Sequence, residues 1–99
     1  MAMYLKIHQD KEKVVAVCDA DLIGKVLESD KGYLDLEKHK SFYQGELVGK
    51  PQVEKALRSF DSANLVGKEA VGVALAMGLA SKDGVMYIKK TPYIQIYRF

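Results

Sequence analysis

The chain has 99 residues, of which 48% are apolar and 28% are charged. This composition excludes a disordered segment, and the length fits one domain with a modest core over residues 1–99. The formal net charge of +2 is too small to identify a partner.

The cysteine content and the apolar runs predict the compartment. Cys18 is the single cysteine, so it cannot form a disulfide within the chain, which fits a reducing environment. The first residues lack the apolar core of a signal peptide. The apolar run at 70–80 is also much shorter than the roughly 20 residues of a membrane span. We expect a cytoplasmic protein that does not associate with membranes.

Two strands are predicted at the start of the chain. Residues 3–8 alternate apolar and polar side chains, which indicates a half-buried strand. Residues 13–18 are almost wholly apolar, which predicts a strand in the interior of a sheet. The polar residues 9–12 fit the turn of a hairpin. Asp19 then follows as the expected cap of a short helix at 20–23.

The middle of the chain carries short elements and then a helix. The short elements are predicted as a strand, a turn, a second strand and a helical turn, at 25–29, 30–32, 33–36 and 37–43. A helix is predicted at 51–60, because Pro51 suits a first turn and apolar residues follow at i, i+3, i+4 and i+7. These residues are Val53, Ala56, Leu57 and Phe60.

A second helix is predicted at 67–80. From Ala70 to Ala80 the chain has no charge and no hydroxyl group. A helix that is apolar on all sides is normally buried, so we expect it at the centre of the domain. Residues 61–64 are interpreted as the break between the two helices.

Two strands are predicted at the end of the chain, at 85–89 and 93–99. Thr91 and Pro92 are expected to form the turn between them, or an edge, since proline is disfavoured in a central strand. The predicted fold is therefore α+β and two-layered. A mainly antiparallel sheet packs on two main helices, at about 51–60 and 67–80, with short helical turns elsewhere.

The start of the second helix is a candidate anion site. If Gly67 caps this helix, free N–H groups point outward and the helix dipole favours a negative charge there. Lys68 follows where an acidic residue would be expected, so it can serve a bound phosphate or carboxylate. The alternative is a plain cap in which Asn64 bonds the backbone of the turn.

The last two strands carry a second candidate site, in which basic and aromatic residues interleave: Lys89, Lys90, Tyr93, Tyr97 and Arg98. If Ile94 and Ile96 face the core, the tyrosines lie on the opposite face. Aromatic side chains beside cations on a sheet are typical of proteins that bind single-stranded nucleic acid. The alternative is an ordinary sheet face or a subunit contact.

Metal and nucleophile chemistry are less well supported. His8, His39 and Cys18 lack the spacing of a metal site, and we predict no metal and no cofactor. Cys18 precedes a helix start, with His8 as a conceivable base across the hairpin. The neighbouring Asp19 and Asp21 disfavour a thiolate, so a small buried apolar role is the expectation.

The chain resembles the small archaeal family known as domain of unknown function 424 over essentially its whole length. The resemblance is carried by five segments in the same order and at nearly the same spacing: Met3–His8, Val15–Asp19, Leu22–Lys25, Phe42–Glu46 and Ala63–Gly67. It implies a compact two-layer α+β domain of about this size. The family has no established activity, and its genes lie near translation genes in archaea, which implies an RNA-associated role.

This sequence departs from the family pattern in the final strand. Family members often carry a histidine after the proline, whereas here Tyr93 and Ile94 follow Pro92. A role that depends on that histidine is therefore not transferred to this chain.

The sequence and the resemblance together predict a non-enzymatic module that binds RNA or a ribonucleoprotein in translation or RNA processing. The lysines and Arg98 would contact phosphates, and the tyrosines would stack on bases. The alternative is a structural or protein-interaction module, expected as a homodimer through an exposed aromatic final strand. A small enzyme using Cys18 or a carboxylate is a third hypothesis.

Overall fold

The computed structural model describes residues 2–30 and 32–98, and it has eight strands and three α-helices in these ranges. The strands are β1 (Met3–Gln9), β2 (Lys13–Asp19), β3 (Val26–Ser29), β4 (Gly32–Asp35), β5 (Glu46–Val48), β6 (Ser62–Val66), β7 (Met86–Ile88) and β8 (Thr91–Tyr97). The helices are α1 (Lys40–Tyr43), α2 (Lys50–Ala56) and α3 (Lys68–Ala76), with 3-10 turns at Ala20–Leu22 and Lys82–Gly84.

Six of the strands form one sheet in the order β5-β1-β2-β6-β8-β7, and β3 and β4 form a separate hairpin. Every neighbouring pair is antiparallel except β2 and β6, which are parallel. A parallel pair requires a long crossover, and here the chain between β2 and β6 supplies the hairpin β3–β4, α1, β5 and α2. The predicted α+β class with a mainly antiparallel sheet is confirmed.

The main core lies on the face of the sheet that α2 and α3 cover. Val15 and Val17 of β2 point into it and are fully buried, together with Leu65 of β6. Leu57 after α2 and Val71 of α3 pack against them. Strand alternation places the odd-numbered residues of β2 on this face and the even-numbered residues on the other. Because both faces are covered, β2 is almost continuously apolar.

The opposite face of the six-stranded sheet is also partly covered, so the arrangement is not clearly two-layered. Cys18 and Val66 form a second buried cluster there with Leu36, which follows β4. Helix α1 is fixed to the same face by Lys6, whose Nζ donates to the carbonyl of Ser41 at 2.7 Å. Because both faces of β2 are covered, the residue at position 18 must be buried, and the small, weakly polar side chain of Cys18 suits this position.

The largest difference from the sequence prediction is β6. Residues 61–64 were expected to break the chain between two helices, but Ser62–Val66 is a central strand between β2 and β8. Its short, half-polar sequence carries no strand pattern of its own. The segment is extended because both neighbouring strands pair with it.

The predicted turn around Thr91 and Pro92 is also wrong, because both residues belong to β8. The β7–β8 turn is instead formed by Lys89 and Lys90, and Lys89 has a left-handed φ of 56°. Two-residue hairpin turns need such φ values, which lysine adopts less readily than glycine or asparagine.

Both main helices are shorter than predicted, and α3 is not central. It ends at Ala76 rather than at residue 80, and Gly72 and Ala76 on its outer side are exposed. Gly72 and Ala76 have little apolar surface, so their exposure costs little free energy. The prediction that this helix is buried on all sides is therefore wrong. Lys31 and Phe99, in the predicted turn at 30–32 and strand at 93–99, lie outside the described residues.

Candidate functional site

A cleft of about 400 Å³ opens at the carboxyl ends of the parallel strands β2 and β6. Its volume lies in the range of about 300–1,000 Å³ that is typical of small-ligand sites. The position outside the carboxyl ends of this one parallel pair is comparable to that at which open α/β sheets bind ligands. The charged residues that line the cleft are Asp19, Asp21, Lys68, Glu69 and Lys90, and Leu22 and Pro92 contribute apolar surface.

Asp19 ends β2 and joins it to α3. Its carboxylate accepts hydrogen bonds from the backbone N–H groups of Glu69 at 3.0 Å and Ala70 at 2.8 Å, and the residue is only 7% exposed. A carboxylate at a helix start satisfies free N–H groups and interacts favourably with the dipole. Asp19 therefore caps a helix 50 residues further along the chain. Its side chain does not cap the adjacent 3-10 turn, so that prediction is wrong.

Gly67 makes this cap sterically accessible. Its φ of +109° is disfavoured for other residues, and a Cβ atom here would overlap the carboxyl group of Asp19. Its N–H donates to the carbonyl of Pro92 at 2.8 Å, which ties the helix start to β8. The predicted role of Gly67 as the N-cap residue of this helix is confirmed.

The electrostatics of this corner are dominated by crowded carboxylates. Burial raises the pKa of Asp19 above its usual value of 3.8, and the negative charges of Asp21 and Glu69 raise it further. The two backbone hydrogen bonds oppose this shift. The helix start already carries an anion from the protein itself, so an added anion would compete with the Asp19 carboxylate for the same N–H groups.

Lys68 and Lys90 are brought together in this cleft. Lys68 is the first residue of α3, Lys90 belongs to the β7–β8 turn, and both are exposed. Across the described ranges, neither ammonium group makes a hydrogen bond within the protein. Both cations are consequently available to a ligand. Lys89 is exposed in the same turn but does not line the cleft.

The remaining predicted site residues lie outside the cleft and make contacts within the protein. Asn64 is in the middle of β6, where its Oδ1 accepts a hydrogen bond from Gln95 Nε2 at 2.8 Å, so it does not cap the helix. Tyr93 packs against the buried cluster of Cys18, Leu36 and Val66. Neither side chain is presented to the cleft.

Tyr97 and Arg98 lie at the opposite end of β8 from Lys90, roughly 25 Å away at about 3.3 Å per residue. Tyr97 is 60% exposed on the same face as Tyr93, as predicted from the alternation with Ile94. The guanidinium of Arg98 stacks 4.4 Å from the ring centroid of Phe60. The predicted hairpin surface is thus divided between the two ends of the strand.

Cys18 does not have the properties of a nucleophile. The residue is fully buried, and burial with the nearby charges of Asp19 and Asp21 raises the pKa of its thiol to about 12. Cys18 is opposite Tyr4, whereas His8 is opposite Val14 and stacks on another ring. The geometry therefore does not bring His8 to the thiol as a base.

Sequence reasoning missed the acidic side of the cleft. Asp19 was assigned to the neighbouring turn, Asp21 was considered only for its effect on the Cys18 thiol, and Glu69 was not proposed as a site residue. The one usable signal was an aspartate directly after a fully apolar strand, at the end where parallel strands place functional groups. In the described residues there is no group of three or more His, Cys, Asp or Glu side chains placed to bind a metal ion.

The described helices include none that is both long enough and apolar enough to cross a membrane. A search of curated proteins found none that matches the chain.

Comparison with solved structures gives a full-length match. The chain is similar to an uncharacterised conserved protein from Methanopyrus kandleri, with 26% identity and a TM-score of 0.78 over 98% of this chain and 91% of that one. The family model described as protein of unknown function DUF424 matches residues 7–99. This match covers nearly the whole chain, and the protein therefore belongs to the DUF424 family.

Proposed function

We propose that this protein is a non-enzymatic RNA-binding module linked to translation, and that RNA phosphates bind at the cleft between β2, β6 and α3. The observation that carries the proposal is the convergence of Lys68 and Lys90 on one cleft from elements far apart in the sequence. The translation link rests on the resemblance described above.

The exposure and position of the two lysines support phosphate contact. Lysine is a compact cation that serves phosphate oxygens well, and neither ammonium group is engaged by an internal partner across residues 2–30 and 32–98. Asp21 and Glu69 in the same walls reduce the local positive potential. The cleft is thus suited to one or two phosphates rather than to a long polyanion.

The test is RNA binding by the purified, nuclease-treated protein at two salt concentrations. Each lost phosphate contact to a single strand lowers the slope of log K against log salt by about 0.7. We expect Lys68→Glu with Lys90→Glu to weaken binding and to lower the slope by about 1.4.

The matched control is Lys11→Glu with Lys55→Glu, because both residues are exposed and neither lines the cleft. The control should retain most of the affinity. Equal loss in the two double variants, or no salt-sensitive RNA binding by the unmodified protein, would exclude the cleft as a phosphate site.

An interaction module is the second candidate, because one sheet edge carries exposed apolar side chains. The predicted aromatic edge is not β8, which lies between β6 and β7, but β7. On β7, Met86 is 47% and Tyr87 is 60% exposed. Unpaired edge strands of this kind readily pair with another chain.

Sedimentation velocity at micromolar to high micromolar concentration tests this candidate. A homodimer through β7 should dissociate in the Met86→Lys variant, because a charge would be placed in the apolar contact. A monomer across the whole concentration range would rule the homodimer out.

A further inference from the structure

We infer that the cleft binds a single ribonucleotide, with Lys68 and Lys90 on its phosphate and Asp21 accepting a hydrogen bond from a ribose hydroxyl. The ribonucleotide is either the end of an RNA strand or a free nucleotide, since both carry the same groups. The inference rests on the proposed function and specifies its ligand.

The size of the cleft supports one nucleotide. About 400 Å³ is enough for a small ligand and is at the lower end of the usual range. A duplex presents a wide, continuous surface of phosphates and hydroxyl groups, which a cleft of this volume cannot enclose.

The charges of the cleft support a ligand that carries both a phosphate and hydroxyl donors. Because the Asp19 carboxylate is bonded to α3, the side chains left for a ligand are Lys68, Lys90, Asp21 and Glu69. Two cations and two carboxylates balance one another, so the interior of a polyphosphate chain would gain little here. A single phosphate with its attached ribose can use both kinds of group, with the lysines for the phosphate and a carboxylate for a hydroxyl donor.

Asp21 is suited to a ribose hydroxyl because an ionised carboxylate only accepts hydrogen bonds. It is exposed on the 3-10 turn at the rim, and its carboxylate makes no hydrogen bond among the residues that the structure describes. An acidic residue that accepts from a ribose hydroxyl is a known device of nucleotide sites at the ends of parallel strands. The 2′-hydroxyl is also the group by which a protein distinguishes RNA from DNA.

The apolar wall supplies a place for the base. Leu22, Thr91 and Pro92 line the same cleft as the charged groups. A flat, apolar ring face can pack on these side chains while the phosphate and ribose meet the polar rim.

The experiment is label-free calorimetric titration with four ligands. These are a short linear single-stranded RNA, its circularised form, the DNA of the same sequence, and a mononucleotide. We expect the linear RNA to bind at least about tenfold more tightly than the DNA, as the loss of one charge-assisted hydrogen bond predicts. The linear RNA should also bind more tightly than the circular RNA, which has no strand end to enter the cleft. A mononucleotide that binds as tightly as linear RNA assigns the site to free nucleotides, and a much weaker one assigns it to strand ends.

Asp21→Asn is the decisive variant, with Asp10→Asn in the exposed β1–β2 turn as its control. We expect Asp21→Asn to reduce the preference for RNA over DNA about tenfold, and Asp10→Asn to leave that preference unchanged. Circular RNA that binds as tightly as linear RNA, or an Asp21→Asn variant that loses RNA and DNA binding equally, would overturn the inference.

These outcomes are separate from failure of the proposed function. If RNA binding depends on Lys68 and Lys90 but is indifferent to strand ends and to the 2′-hydroxyl, the proposed function stands and the ribonucleotide inference fails. If no RNA binds in a salt-sensitive manner, the proposed function fails first.

Discussion

Asp19 joins the sheet to α3 through one buried carboxylate. It accepts two backbone hydrogen bonds from the first turn of α3, and Gly67 leaves the space that it fills. The same residue borders the cleft, so its position also fixes where Lys68 begins the helix. One side chain thus determines both the helix start and one wall of the candidate site.

Replacing Asp19 with alanine should destabilise the fold. Ala70 is buried, so its N–H would lose its partner without gaining full access to water. We expect the free energy of unfolding to fall by about 2 kcal/mol in urea titrations. For a domain of this size, the melting temperature should fall by about 10 °C. Asp10→Ala, at the exposed β1–β2 turn, should change stability by less than about 0.5 kcal/mol.

The raised pKa of Asp19 also predicts a pH dependence. The native carboxyl group binds a proton more readily than the unfolded one, whose pKa is near 3.8. Its contribution to stability is therefore largest below pH 3.8 and falls as the pH rises through the native pKa. The Asp19→Asn variant has an amide at this position, which does not titrate. We expect the stability of this variant relative to the unmodified protein to increase with pH across this window, in unfolding titrations at a series of pH values. A constant difference would contradict the raised pKa.

Cys18 should be chemically inert in the native protein. Its thiol is fully buried, and its pKa of about 12 leaves almost no thiolate at neutral pH. We expect a thiol reagent such as Ellman's reagent to react only after denaturant is added. Rapid labelling of the folded protein would contradict the burial.

At the scale of elements, α3 depends on two glycines with opposite requirements. Gly67 has a left-handed φ and no room for a Cβ, whereas Gly72 is a helical position with no atom within 4 Å of a Cβ. Gly67 is required because any side chain at this position would collide with the carboxyl group of Asp19. The second only weakens the helix, because glycine loses more backbone entropy on folding than alanine.

The two glycine positions make a matched pair of variants. Gly67→Ala should lower the free energy of unfolding by about 3 kcal/mol, through left-handed strain and displacement of the Asp19 cap. Gly72→Ala should raise it by about 0.5–1 kcal/mol. Chemical denaturation of both variants checks this. If the Gly67→Ala variant were as stable as the unmodified protein, this would contradict the conclusion that a Cβ at position 67 has no room beside Asp19.

At the scale of the whole molecule, the sheet is covered on both faces at its centre and open at its edges. Strands β2 and β6 each have two strand neighbours, and their alternate residues are buried on both sides. The hairpin β3–β4 and the edge strand β5 have mostly exposed side chains. Stability should therefore decrease from the centre of the sheet towards these elements.

Hydrogen exchange tests this gradient. We expect the amides of β2 and β6 to exchange only by global unfolding, because opening them breaks both the sheet and the core. Amides of β3, β4 and β5 should exchange faster, by local opening. Equal protection of the β3–β4 hairpin and β2 would mean that the hairpin is part of the central cooperative unit.

The long-range pairing explains which predictions failed. β1 and β2 were predicted correctly because each carries its own alternating or apolar pattern. β6 was missed because Ser62, Ala63 and Asn64 carry no such pattern and are extended only through β2 and β8. The β7–β8 turn was misplaced because the left-handed φ of Lys89 is set by strand register rather than by residue type.

The candidate site divides in the same way between local and long-range information. Residue patterns were enough to predict the α+β class and the helix start at Gly67, since these depend on neighbours within one turn or one strand. The capping of a helix 50 residues away by Asp19, and the meeting of Lys90 with Lys68 in one cleft, became visible only in the folded chain. The same packing turns Tyr93 towards the buried cluster of Cys18. These contacts across β2, β6 and β8 follow from parallel pairing and strand register, which local residue patterns do not specify.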